Sequence, residues 1–159
     1  MGCDVCSKEI PRDTGYMLST TQAITNPRYW EFFFRHYYPQ QVEYLGRNGE
    51  RLASYVLGRA ADNTGWALCE SCMQMYSINK SKAHQYFETW QQTGRLPSDF
   101  GTVDFAPSFD AAKKGWKLAF GTEPMLDAKD SAVPFAASVH AVQRTMEMKG
   151  KKWWKFWKR

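Results

Sequence analysis

Four cysteines stand in two pairs of identical spacing, Cys3 and Cys6 in GCDVCS and Cys69 and Cys72 in LCESCM, with none left over. A two-residue gap lets one tight turn present two sulfurs to a single ion, and four thiolates satisfy the tetrahedral preference of Zn²⁺. Disulfides are the main competing chemistry, and a reducing compartment disfavours them. A thioredoxin-type redox pair competes less well, because neither pair sits in a W-C-G-P-C context. The expectation is therefore one zinc ion shared by Cys3, Cys6, Cys69 and Cys72. Four thiolates leave no coordination position for water or substrate, so the expected metal is structural and not catalytic. Its binding free energy, about 10 kcal/mol or more, would count towards folding by tying the N-terminus to the middle of the chain. The histidines His36, His84 and His140 are not needed as ligands and read as surface or hydrogen-bonded structural residues.

A second cluster of chemistry-bearing residues closes the sequence, in KKWWKFWKR. On a helix of about 100° per residue, Trp153, Trp154, Phe156 and Trp157 fall on one continuous arc. Lys151, Lys152, Lys155, Lys158 and Arg159 fall on the other side. As a strand the segment would mix Trp153, Lys155 and Trp157 on one face. Aromatic residues opposite cations are what a helix at a membrane interface needs, with tryptophan at the headgroup level and cations towards anionic lipid. Nine residues are too few to hold a helix in water, so the segment is expected to fold on contact, with Gly150 as hinge. A protein groove could take the aromatic arc as anchors, and nucleic acid could use phosphate contacts and stacking. The remaining alternative is a segment that folds back over an apolar patch of its own body.

After the first pair, KEIPRDTGYMLSTTQAI carries a Pro/Asp/Gly turn between strand-favouring residues and predicts a β-hairpin. WALCESCMQMYSI places Cys69 at a turn with no helix breaker after Cys72, so the second pair is expected to open a helix. Cysteine knuckle, hairpin and then a helix carrying the second pair resembles the treble-clef zinc fingers, the broad group that includes LIM-type and RING-related modules. The resemblance covers residues 1 to about 93 and implies an α+β fold, with little about activity. HNH nucleases share that frame, and their His-Asn-His set is absent here. The departure from the group is the long insert between the pairs.

That insert, about 26–61, is expected to be helical. Asn26 is suited to an N-cap and Pro27 to the first helical position, and Pro39 is expected to end the segment. Tyr29, Trp30, Phe33, Phe34 and Tyr37 share one arc, opposite Glu31, Arg35 and Tyr38, and read as the core face of an amphipathic helix and not as a ligand-binding wall. A second helix is expected over about Glu50 to Ala61, then an ADNTG turn into Trp66. In SKAHQYFETWQQTG, Ala83, Tyr86, Phe87 and Trp90 recur at helical spacing and Gly94 is the stop. RLPSDFGTVDFAPSFD reads as a surface loop, FDAAKKGWKLAFGTEPM as helix or strand, and about Ala132 to Met148 as helix with Pro134 limiting its start. The expected organisation is a zinc-binding domain at 1–96, a C-terminal extension packed on it at 97–148, and an aromatic-basic tail at 149–159.

Charge follows the same division. Six of the 21 cations lie from Lys149 onward with no acid among them, leaving 15 cations against 16 acids in residues 1–148. A nucleic-acid-binding zinc finger is therefore the alternative and not the first reading, because such a finger carries its basic patch on the module. No apolar run reaches the roughly 18 residues of a membrane span. MGCDVCSKEI lacks the basic and apolar regions of a secretory signal, and Cys6 stands where myristoylation asks for Ser or Thr. The expected location is cytoplasmic, peripheral at the inner face of a membrane. No phosphate loop, dinucleotide fingerprint, nucleophile elbow or H-E-x-x-H occurs. The expectation is a non-enzymatic, zinc-stabilised adaptor that meets anionic lipid or a protein assembly through its tail, with no small-molecule substrate identified. An enzyme with a pocket in the aromatic-rich insert is the third reading.

Overall fold

The computed structural model describes residues 1–62, 64–98, 100 and 105–136. Among these the fold is α+β: a two-stranded sheet and seven helices. Strand β1 (Tyr16–Ser19) runs straight into α1 (Thr20–Ile24), because Ser19 and Gln22 form a reciprocal capping box that turns extended chain into helix. Helix α2 (Pro27–Leu45) starts where Asn26 Oδ1 accepts the Arg28 N–H at 2.9 Å and Pro27 takes the first helical position. Helix α3 (Leu52–Ala61) leads to β2 (Gly65–Leu68), followed by the short α4 (Glu70–Met73) and α5 (Lys80–Thr93). Asn79 caps the start of α5 and Gly94, at φ +65°, closes it. Helices α6 (Phe105–Phe120) and α7 (Ala128–Ala136) complete the described chain.

The segment expected as a local hairpin divides in two. Residues 8–10 fold back on residues 1–3, with a Gly2–Glu9 bridge, Cys3 N–H donating to the Lys8 carbonyl at 2.8 Å and Ile10 N–H to the Met1 carbonyl at 2.8 Å. Tyr16–Ser19 pairs instead with the distant β2, antiparallel, in the register Tyr16 with Leu68 and Ser19 with Gly65. The physical reason is double occupancy: residues 1–3 already use the ladder positions of 8–10. Met17 and Leu18 are also buried, which requires cover on both faces.

Three other element boundaries differ from expectation. Pro39 lies inside α2, which continues to Leu45. A mid-helix proline forfeits one hydrogen bond and strains the preceding turn, yet Arg35 and Pro39 are exposed while Leu45 is wholly buried, so packing carries the helix through. The Tyr38 hydroxyl and the Gly46 N–H then secure its C-terminus, on the Gly46 and Arg47 carbonyls and the Val42 carbonyl respectively. FAPSFD, expected as loop, is the first turn and a half of α6, where Pro107 costs nothing because first-turn N–H groups have no helical partner. Helix α7 begins at Ala128 with Pro134 inside it, and Asp127 caps it by accepting the Asp130 N–H at 2.7 Å. The part of the Ala132–Met148 expectation beyond residue 136 lies outside the described residues, as do His140 and the segment from Lys151 to Arg159.

One buried cluster runs from Cys3 to Trp116. Its centre is the expected aromatic arc of α2: Tyr29, Trp30, Phe33 and Phe34 are buried and Tyr37 is half-buried. Tyr38, placed with the polar residues by the wheel, instead meets Trp116 and Phe120 of α6 at 5.2 and 5.1 Å between rings. The α2–α6 pair is the most extensive helix contact among the described residues. Small residues on α6 (Ser108, Ala111, Ala112 and Gly115) allow it, and at Gly115 the backbones nearly touch. A Cβ there would stand 2.3 Å from the Trp30 Cβ and 2.8 Å from both the Glu31 nitrogen and the Pro27 carbonyl oxygen. Backbone atoms cannot rotate away, so Gly115→Ala is expected to cost about 1–3 kcal/mol by forcing the helices apart. Urea denaturation checks this, and an unchanged midpoint would mean that the crossing yields freely.

Helix α7 is tied to α3 by one buried carboxylate. Asp130 Oδ1 accepts the Ser54 N–H at 3.1 Å and the Ser54 hydroxyl, so it caps the first turn of α3 from 76 positions away. Burial pushes the Asp130 carboxyl up, against the Ser54 bonds that favour its charged form.

Candidate metal centre

The two cysteine pairs reach one point by different means. Cys3 and Cys6 flank a tight turn in which the Ser7 N–H returns to the Cys3 carbonyl at 2.8 Å and Ser7 takes φ +60°. Cys69, at the end of β2, is the N-cap of α4, and Cys72 lies one helical turn on, so both sulfurs leave the same side. The helix expected after Cys72 is a single turn, with the longer α5 starting seven residues after α4 ends.

Asp4, between the first two cysteines, brings the pairs together. Its N–H donates to the Ala67 carbonyl at 2.9 Å and its carboxylate accepts the Ala67 N–H at 2.7 Å, aligning the turn with the edge of β2. Helix α2 supports the turn from behind, with the Tyr37 hydroxyl on the Val5 carbonyl at 3.3 Å.

The sulfurs of Cys3, Cys6, Cys69 and Cys72 all lie within 4.8 Å of one another, and this is the one such metal-competent cluster among the described residues. The Cys6 and Cys69 sulfurs are 3.7 Å apart. Four thiolates at about 2.3 Å from zinc stand about 3.8 Å from each other, so the separations suit a tetrahedral ion. The Cys69 N–H points at the Cys3 sulfur at 3.4 Å, the kind of donor that stabilises a coordinating thiolate. Without a cation the four groups compete. The Cys72 thiol donates to Cys3 and holds it well below the usual thiol range, while Cys72 itself is pushed well above it. Burial raises Cys6. A dication at the centre removes that conflict, because all four can then be thiolates. The four close cysteines could therefore hold a metal, and they are compatible with zinc.

No protein-family model, curated protein or solved structure matches the chain.

The described histidines stand apart from the cluster. His84 Nδ1 lies 2.9 Å from the Gly15 carbonyl and Nε2 3.5 Å from Glu88, and the His36 ring packs at a tilt against Phe32, 4.2 Å between ring centres. Two charged residues outside the expected site link elements of the core. Glu70, inside the second pair, accepts the Tyr16 hydroxyl and pairs with Lys80 Nζ at 2.8 Å, and these two partners lower its carboxyl. Arg59 lies against Trp66, Tyr55 and Phe33 at 5.6, 5.8 and 5.9 Å from the ring centres, joining α3, α2 and β2. An arginine in the mostly apolar LASYVLGRAA is the one hint that the sequence carries for Arg59.

A cleft of about 690 Å³ opens beside the centre, between residues 1–4 and β2, with Trp90 and Leu96 on its outer wall. Among the described residues no helix is long and apolar enough to cross a membrane.

Proposed function

We propose that this protein is a non-enzymatic adaptor whose body is held by one structural zinc ion and whose residues 151–159 attach it to an anionic membrane surface. The observation that carries the first half is the convergence of four thiols from two distant pairs, Cys3/Cys6 and Cys69/Cys72, into one cluster. With four thiolates a tetrahedral ion is saturated, so the site suits holding the fold and not activating water. The second half rests on the sequence of the tail, where Trp153, Trp154, Phe156 and Trp157 separate from five cations on a helix. Each cation near an anionic leaflet contributes about 1 kcal/mol.

The test compares the full chain with one ending at Gly150 in vesicle sedimentation. The full chain is expected to bind vesicles rich in phosphatidylserine, bind neutral vesicles at least tenfold less well (about 1.4 kcal/mol), and lose its binding on truncation. Equal binding by the two forms, or none by either, would contradict attachment to lipid. DNA binding that disappears on truncation would favour the nucleic-acid alternative, and tail-dependent capture by a protein assembly would replace lipid with a protein groove.

A further inference from the structure

We infer that Cys6 and Cys69 form a reversible oxidation site, at which peroxide makes a disulfide between the two cysteine pairs and releases the zinc. The inference rests on the zinc reading, and it adds a modification to that centre.

The four sulfurs are not equivalent. Cys3 and Cys72 are buried, at 3% and 6% exposure, whereas Cys6 and Cys69 are half-buried. The Cys6 and Cys69 sulfurs are also in contact, 3.7 Å apart. Cys3 is further engaged by the Cys69 N–H. Oxidation of cysteine follows thiolate character and access. Zinc makes thiolates of all four, so access decides, and the two sulfurs that peroxide reaches are already neighbours.

The reaction balances without another reagent. One thiolate sulfur attacks a peroxide oxygen, the O–O bond breaks, and a sulfenic acid and hydroxide form. The second thiolate attacks that sulfur, the S–S bond forms and the S–O bond breaks, releasing a second hydroxide. With two protons the products are one disulfide and two waters: two sulfurs lose one electron each and hydrogen peroxide gains both. Only Cys3 and Cys72 then remain as ligands, too few to hold a structural ion.

The choice of partners matters for the fold. A disulfide within either C-x-x-C would join an accessible sulfur to a buried one and leave only the Asp4–Ala67 hydrogen bonds, with no covalent or metal link, between the N-terminal turn and the second pair. The Cys6–Cys69 bond spans the same 63 positions that the ion spanned. It replaces a metal staple with a covalent one. Oxidised, zinc-free protein should therefore keep its fold, whereas reduced, zinc-free protein should lose it.

The experiment treats the full-length zinc protein with hydrogen peroxide, follows released zinc with a chromogenic chelator, and maps the products by mass spectrometry of non-reduced peptides. The expected result is about one zinc released per disulfide, with the Cys6–Cys69 peptide dominant. A dithiol reductant with added Zn²⁺ should restore the starting metal content. Dominant Cys3–Cys6 and Cys69–Cys72 linkages, or sulfinic acids without a disulfide, would overturn the inference. Metal content measured before peroxide is added reports on the zinc reading separately, so a chain that holds no zinc sinks that reading while the mapped linkage still decides the pairing.

Discussion

Cys72→Ser is expected to unfold the protein at room temperature. Cys72 is buried at the first turn of α4 and its sulfur belongs to the four-thiol cluster. Serine offers a poor ligand, and the three remaining thiolates must share an ion whose fourth position is open. Structural zinc contributes on the order of 10 kcal/mol or more to folding, and net stabilities of domains are about 5–15 kcal/mol, so little margin is left. The loss is local in origin and global in effect, because the centre joins residues 3–6 to the β2–α4 junction and β2 is the partner of β1. Far-UV circular dichroism should show loss of most helical signal, and a strong chelator should do the same to the parent chain. Acid should act in the same direction. Each ligand must be deprotonated, so falling pH lets protons displace the metal, and stability drops as pH falls through the range where the bound thiolates take up protons. A variant that melts cooperatively near the parent's midpoint would contradict a structural role for the ion.

Trp30→Ala is the second large effect, at about 3–5 kcal/mol in urea denaturation. Trp30 is wholly buried at the centre of α2, stacked on Phe34 at 5.7 Å and edge-on to Tyr29 and Phe33 at 5.1 and 5.8 Å between rings. Truncation removes the ring and leaves a cavity that rigid neighbours cannot close. It also strips the Ile24 carbonyl of the indole N–H that donates to it at 2.6 Å, and a buried acceptor without its donor costs about 1–3 kcal/mol. Trp30→Phe separates the two contributions, since it keeps most of the packing and loses the hydrogen bond. A loss below about 1 kcal/mol for the alanine variant would mean that the α2–α6 core can repack around the gap.

What could be read from the sequence was what local chemistry decides. The C-x-x-C spacing, the Asn26-Pro27 start, the Asn79 and Gly94 ends of α5 and the aromatic arc of α2 each depend on residues within a turn or two of one another. What was not legible depends on partners far along the chain. The Tyr16–Ser19 strand looked like half of a hairpin, because nothing in its own residues names Gly65–Leu68 as the partner. Pro39 looked like a stop because its cost is local, whereas the compensation comes from Leu45, Tyr38 and the packing of α6. FAPSFD looked like a loop because its apolar period becomes visible only when extended to Trp116 against α2. In the centre itself, the four cysteines were legible as one cluster and the contact that aligns the two pairs was not: Asp4 meets Ala67 63 positions away.

The central claim is that Cys3, Cys6, Cys69 and Cys72 together saturate one structural zinc ion. X-ray absorption at the zinc edge on stoichiometrically loaded protein tests it most directly, because it reads the ligand set and not its consequences. The expected spectrum has four sulfur neighbours at about 2.3 Å and no nitrogen or oxygen in the first coordination sphere. A sphere containing oxygen or nitrogen, or a folded chain that holds no zinc, would contradict it.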